Sequence, residues 1–175
     1  KHTRLVSDNN FAIHQSRLKI NLAYQNNQRK EYGNPEDVAE EELFFDLKTF
    51  NYNIQWQLPE IKEWHTSFGV NGMQQSNRNR ADEVLIPEYN LFDAGVFVYA
   101  QRFFKKATLS GGLRYDHRSV DSKAFAEGAD VKFTAFKKTF SNISGSIGIS
   151  AEPSEKVTLK ANIARGFRAP TLAEL

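Results

Sequence analysis

The residues of this chain that could do chemistry are few and widely spaced. Arg114 and Asp116 stand two apart, which on an extended strand puts both side chains on one face, and they read as a structural ion pair rather than an acid–base couple. Lys19 and Lys160 are further charges that alternate in step with polar neighbours. Arg165 and Arg168 stand three apart and therefore face opposite ways on a regular strand. Of His2, His14, His65 and His117, only His117 lies beside a long polar loop, where an imidazole could ligate haem or a metal ion. The acidic run Glu36, Asp37, Glu40, Glu41 and Glu42 could attract a cationic or metal-loaded ligand, although a solvated loop is the simpler reading. No Ser/His/Asp set and no Gly-rich phosphate loop is present, so neither catalysis nor a resident cofactor or metal is expected.

The element that must position these side chains is a long amphipathic strand. Phe50, Tyr52, Ile54, Trp56 and Leu58 alternate with Thr49, Asn51, Asn53, Gln55 and Gln57. After a break at Pro59, Trp64, Thr66, Phe68 and Val70 alternate with His65, Ser67, Gly69 and Asn71. A period of two on both sides of a short break predicts a hairpin with one apolar and one wet face.

The same pattern recurs along the chain. Lys1 to Ser7 reads as the tail of an earlier strand and Ser7–Asn10 as a turn cluster. A full strand is predicted from about Phe11 to Asn27, with Leu18, Ile20, Leu22 and Tyr24 on one face. Pro35 followed by acidic residues could open a short helix, although a solvated loop is the simpler reading. Further strands are expected over Leu91 to Phe103, around Leu109–Asp116, around Asn142–Ala151 and over Val157–Ala164. In the first of these both faces are apolar, and Ala94, Val96, Val98 and Ala100 are assigned outward. The expectation is an all-β antiparallel meander of about seven long strands with no internal domain boundary over residues 1–175. The strands run about 10 to 14 residues, against about 5 or 6 in soluble domains.

Composition narrows the class. The 175 residues carry a net charge of +2, which gives no reason to invoke nucleic acid, and no cysteine, which removes disulfides and thiolate metal sites. The longest apolar run, Val96 to Ala100, is far short of the roughly 20 residues of a spanning helix. A mean hydropathy of −0.56 does not exclude a membrane barrel, because a polar interior offsets the apolar exterior.

Connections then discriminate between architectures. Short turns at 59–63, 104–106 and 152–156 alternate with long polar loops at 28–42, 76–90 and 117–138. Transmembrane barrels sort their connections this way, with short periplasmic turns and long external loops, whereas a soluble sandwich has no reason to. On this reading Trp56, Trp64 and Phe103 lie at the periplasmic aromatic girdle and Tyr24, Tyr115 and Phe167 at the outer one. Lys19, Arg114, Asp116, Lys160 and Arg168 face the lumen, where they could meet a ligand. Arg165 shares the lipid parity of Ile163 near the outer end, where lipopolysaccharide phosphates would accept it. Seven strands cannot close a barrel of the usual even-numbered form, so the chain is read as a piece of a longer wall, with open edges at Phe11–Asn27 and Val157–Arg168.

The ending Ala161–Leu175, with Arg165-Gly166-Phe167-Arg168-Ala169-Pro170-Thr171-Leu172-Ala173-Glu174-Leu175, resembles a barrel signature of TonB-dependent outer-membrane receptors. Gly111-Gly112-Leu113-Arg114-Tyr115-Asp116 resembles another strand of that family. Asp46–Tyr52 and Val84–Tyr89 are similar to segments of its Bacteroidetes members. The resemblance implies a full barrel of about 22 strands around an N-terminal plug. It also implies a Gram-negative outer-membrane location, outer-membrane lipid and lipopolysaccharide as surroundings, and a TonB-type energy-transducing partner reached through segments not present here. Its implied function is import of a metal chelate such as a ferric siderophore, haem or a corrinoid. A passive porin and a soluble β-sandwich module are the competing expectations.

Overall fold

The computed structural model describes residues 1–33 and 41–175. The helix expected at Pro35, and Glu36, Asp37 and Glu40 of the acidic run, lie outside the described residues.

Alternation of apolar and polar side chains makes each long segment a strand, and consecutive strands pair as neighbours. The order is β1 (His2–Ile13), β2 (Ser16–Glu31), β3 (Leu43–Gln57), β4 (Trp64–Asn79), β5 (Tyr89–Phe104), β6 (Ala107–Ser122), β7 (Phe125–Glu127), β8 (Asp130–Phe133), β9 (Phe136–Ser154) and β10 (Val157–Arg165). Eight of them form one antiparallel sheet in the order β1-β2-β3-β4-β5-β6-β9-β10, while β7 and β8 make a separate small hairpin. Among the described residues β1 and β10 pair on one side only, so they are the sheet edges.

Three details differ from the sequence reading. Ser7–Asn10 is not a turn: β1 runs through it, and the chain reverses at His14–Gln15, with His14 at φ 54°. The polar run deceives because it supplies ladder partners, with Asp8 opposite Asn21 and Asn10 opposite Lys19, while the true turn contains neither Gly nor Pro. The predicted strand Phe11–Asn27 is therefore split, and the open edge is β1 rather than Phe11–Asn27. Second, strands extend well into the expected loops, to Glu31, Asn79 and Ser122, so the long connections shrink to 32–42, 80–88 and 123–135. Third, the final short turn is Glu155–Lys156, since β9 continues to Ser154, and a register shift follows between Val157 and Leu159.

The sheet covers no globular core. Among the described residues only Leu43, Val84 and Val120 are buried apolar side chains, all in or beside the ends of strands that carry the long loops. By contrast Leu113 (63%), Ile143 (62%) and Ile163 (77%) are exposed, as are Trp56 and Trp64. In register, Ile20, Ile54, Val70, Val96, Tyr115 and Ile143 form one continuous row, and Leu18, Trp56, Phe68, Val98 and Leu113 form the next. This places Val96 and Val98 on the apolar face. Exposed aliphatic rows of this extent would be unstable in water, and bilayer hydrocarbon is the medium that makes them favourable.

Candidate functional site

The face opposite the aliphatic rows is a hydrogen-bonded polar surface. Strict antiparallel register carries one row across seven strands: Asp8, Asn21, Asn53, Asn71, Gly95, Asp116 and Asn142. Asn21 Nδ2 donates to Asp8 Oδ1 at 2.6 Å, and Asn53 Nδ2 donates to Asn21 Oδ1 at 3.1 Å. Asparagine suits these positions because its amide both donates and accepts, so each residue can link two neighbours.

Arg114 closes the row from the other side. Its Nε donates to Asp116 Oδ1 and Oδ2 at 2.7 and 2.8 Å, and its Nη2 reaches past β5 to Asn71 Oδ1 at 2.7 Å. That reach depends on Gly95, where a Cβ would sit 2.1 Å from Arg114 Nη2. A second pair lies one row away: Arg118 Nε and Nη2 donate to the two oxygens of Asp93, each at 2.6 Å. Two parallel charge-assisted bonds between directly opposed residues fix both side chains in orientation as well as charge.

These groups line a cavity of about 880 Å³ that Phe167, Arg168, Ala169 and Thr171 help to bound. Arg168 Nη2 donates to Glu174 Oε1 at 2.5 Å. Glu174 Oε2 in turn accepts from the Thr171 backbone N–H at 2.7 Å and its hydroxyl at 3.0 Å. The Thr171 N–H, followed by Arg168, holds the Glu174 carboxyl down to about 2. The lining carries Arg4, Arg114, Arg118 and Arg168 against Asp8, Asp93 and Asp116, and most of these charges already have partners within the wall.

The sequence-selected residues fall as follows. Arg114, Asp116 and Arg168 come together at this cavity. Lys19 and Lys160 share its face, in the rows of Gln55 and Ser150, but lie outside its lining. Trp56, Trp64, Tyr24 and Tyr115 stand on the aliphatic face, and Trp56 stacks on Phe68 at 6.4 Å. Phe103, expected at the girdle, stands on the polar face, edge-on to His65 at 5.1 Å, and Phe104 lies on the aliphatic face. Phe167 bounds the cavity. His117 is inside β6, not in an external loop, and its Nδ1 is 2.9 Å from Ser141 Oγ. Among the described residues no three His, Asp or Glu side chains converge as a metal site would require. The sequence reading missed the asparagine row and the Asp93–Arg118 pair. Both depend on cross-strand register, which alternation along one strand does not encode.

The family model for the TonB dependent receptor-like β-barrel matches residues 2–175. Among solved structures, the FrpB iron transporter from Neisseria meningitidis in its apoprotein form aligns with a TM-score of 0.75 at 17% identity, over 98% of this chain and 29% of that one. The copper transporter OprC aligns with a TM-score of 0.69 at 16% identity, over 97% of this chain and 31% of that one. The ferric yersiniabactin uptake receptor FyuA from Yersinia pestis aligns with a TM-score of 0.55 at 8% identity, over 88% of this chain and 26% of that one. The chain thus spans about a third or less of these proteins. No curated protein sequence matches it. The family match does not single out the Bacteroidetes members that two segments resemble. Its members are outer-membrane receptors and transporters of Gram-negative bacteria, not enzymes, and this chain belongs to the TonB-dependent receptor β-barrel family.

Proposed function

We propose that this chain is part of the wall of a receptor that imports a metal chelate through its barrel with energy supplied by a TonB-type partner. The observation that carries the reading is the two-faced sheet: aliphatic rows on one side, and on the other a polar row in register, bonded from Asp8 through Asn21 to Asn53 and again from Asn71 through Arg114 to Asp116. A wall whose polar side chains are already tied to one another offers a plug a preorganised, non-adhesive surface, along which it can shift without breaking strong contacts. Arg168, Arg114, Asp116, Lys160 and Lys19 are the residues assigned to face a plug or ligand. Arg165 is assigned to lipopolysaccharide phosphates. The iron, copper and siderophore cargoes named for the aligned structures support a ferric siderophore, haem or another metal chelate as the substrate class.

The test uses the full-length receptor in a strain lacking its own copy, grown on single iron and cobalamin sources. Growth on one source should be rescued by the receptor and lost when the energy-transducing partner is removed. Rescue that survives loss of that partner would mark a passive porin and reject the proposal.

A further inference from the structure

Arg102 is a charge on the apolar face that its neighbours do not fully satisfy. Arg102 shares the face of Val98 and Ala100 and sits at the end of β5 that carries the short turn. Its guanidinium carbon lies 4.9 Å from the centre of the Phe104 ring and 5.8 Å from that of Trp64. Both distances are within cation–π range, so the two rings hold the head between them. Its Nε is buried without a hydrogen-bond partner among the described residues, and its nearest carboxylate, Glu63, stands 3.8 Å from Nη2 and is well exposed. An arginine clasped at girdle depth, with donor capacity left over, matches the level of lipid phosphates.

Beside it runs an apolar groove of about 630 Å³, lined by Trp64, Ala100, Leu109, Gly111, Gly145 and Ile147 among others. Small residues make the groove: Ala100 and Gly111 are directly paired, and Gly111 is paired to Ile147 in the next strand. Trp64 joins the two features, since it borders the groove and faces Arg102 in register.

We propose that this surface is a specific site for an anionic phospholipid of the periplasmic leaflet. The phosphate binds Arg102 between Trp64 and Phe104, and one acyl chain lies in the groove over Ala100 and Gly111. Charge complementarity selects the phosphate, and the missing side chain at Gly111, with the small Ala100 beside it, admits a chain that a uniform Leu/Ile surface would hold off. The site lies on the opposite face from the proposed lumen surface and needs only that the short turns face the periplasm, as in this family's barrels.

The experiment is native mass spectrometry of the full-length receptor in mild detergent with added phosphatidylglycerol, on wild type, Arg102→Gln, Ala100→Leu and Glu63→Gln. Wild type should retain one more phosphatidylglycerol than Arg102→Gln, whose retention falls about tenfold with loss of the charge-assisted bonds. Ala100→Leu should lose the lipid with Arg102 intact, and Glu63→Gln, which frees the guanidinium, should retain more than wild type. Heat-modifiable gel mobility confirms that each barrel is folded, and Glu63→Gln decides the matter if the other variants fail that check. Equal retention across the variants would overturn the site. Displacement of the lipid by millimolar inorganic phosphate would overturn its lipid identity.

Discussion

Gly95 and Arg114 occupy the same space on the polar face: the absent Cβ of one is where Nη2 of the other lies, 2.1 Å away. The guanidinium can therefore lie flat across β5 and join Asp116 on its own strand to Asn71 on β4. One side chain ties β6 to β4 across the strand between them.

Gly95→Ala should leave the barrel folded, because the clashing atom is the mobile end of a long side chain, but it should free Arg114 from Asn71. Loss of one charge-assisted bond should lower stability by about 1 to 2 kcal/mol. Urea unfolding in detergent measures it. A double variant with Asn71→Ala should cost little more than Gly95→Ala alone, since both remove the same bond.

Asp93→Asn should cost more than Asp116→Asn. Asp93 gives Arg118 its two 2.6 Å bonds, whereas Arg114 keeps Asn71 when Asp116 changes. Both pairs are roughly one-fifth to one-third exposed, so solvent screening limits the difference to about 1 kcal/mol. A double-mutant cycle on Asp93 and Arg118 isolates the pair.

Which face meets lipid is tested by Ile147→Arg against Ser146→Arg. Adjacent positions on β9 point to opposite faces. The first puts a charge among exposed Ile143, Leu113 and Ile163, where the midplane penalty is about 2 to 4 kcal/mol, and the second puts it on the wet face at little cost. Folding yield into lipid vesicles should drop only for Ile147→Arg.

The Glu174 carboxyl, ordinarily near 4.5 and here held at about 2 chiefly by the Thr171 N–H, makes the tail acid-resistant. A carboxyl with a lowered folded pKa contributes stability that is fully present above 4.5 and is lost as pH falls through about 2. A carboxyl chemical-shift titration of the receptor in micelles should place its midpoint near 2, and Arg168→Ala should raise it. A midpoint near 4.5 in the unmutated receptor would mean that neither the Thr171 N–H nor Arg168 holds the carboxylate.

Much of this architecture was written in alternation. Five residues of one kind at every second position, as in Phe50 to Leu58, allow a single conformation and a single pair of faces, whatever surrounds them. Turns were less legible. Ser7–Asn10 has turn composition yet pairs with β2, because a polar face can satisfy the same groups that a turn would. His14–Gln15 has no turn composition yet reverses the chain, because the flanking strands and their register require it there.

Alternation and motif therefore carry the class, the long strands, the two-faced character and the kinship of the ending Arg165–Leu175. Which side chains meet is set by the assembled sheet. Asn71 and Arg114 are 43 positions apart, and Arg102 and Trp64 are neighbours only because β4 and β5 pair in one register. A strand's own pattern fixes where its side chains point along one axis. Contacts across the sheet depend on how far each strand slides past the next, and that is set by all the pairings together.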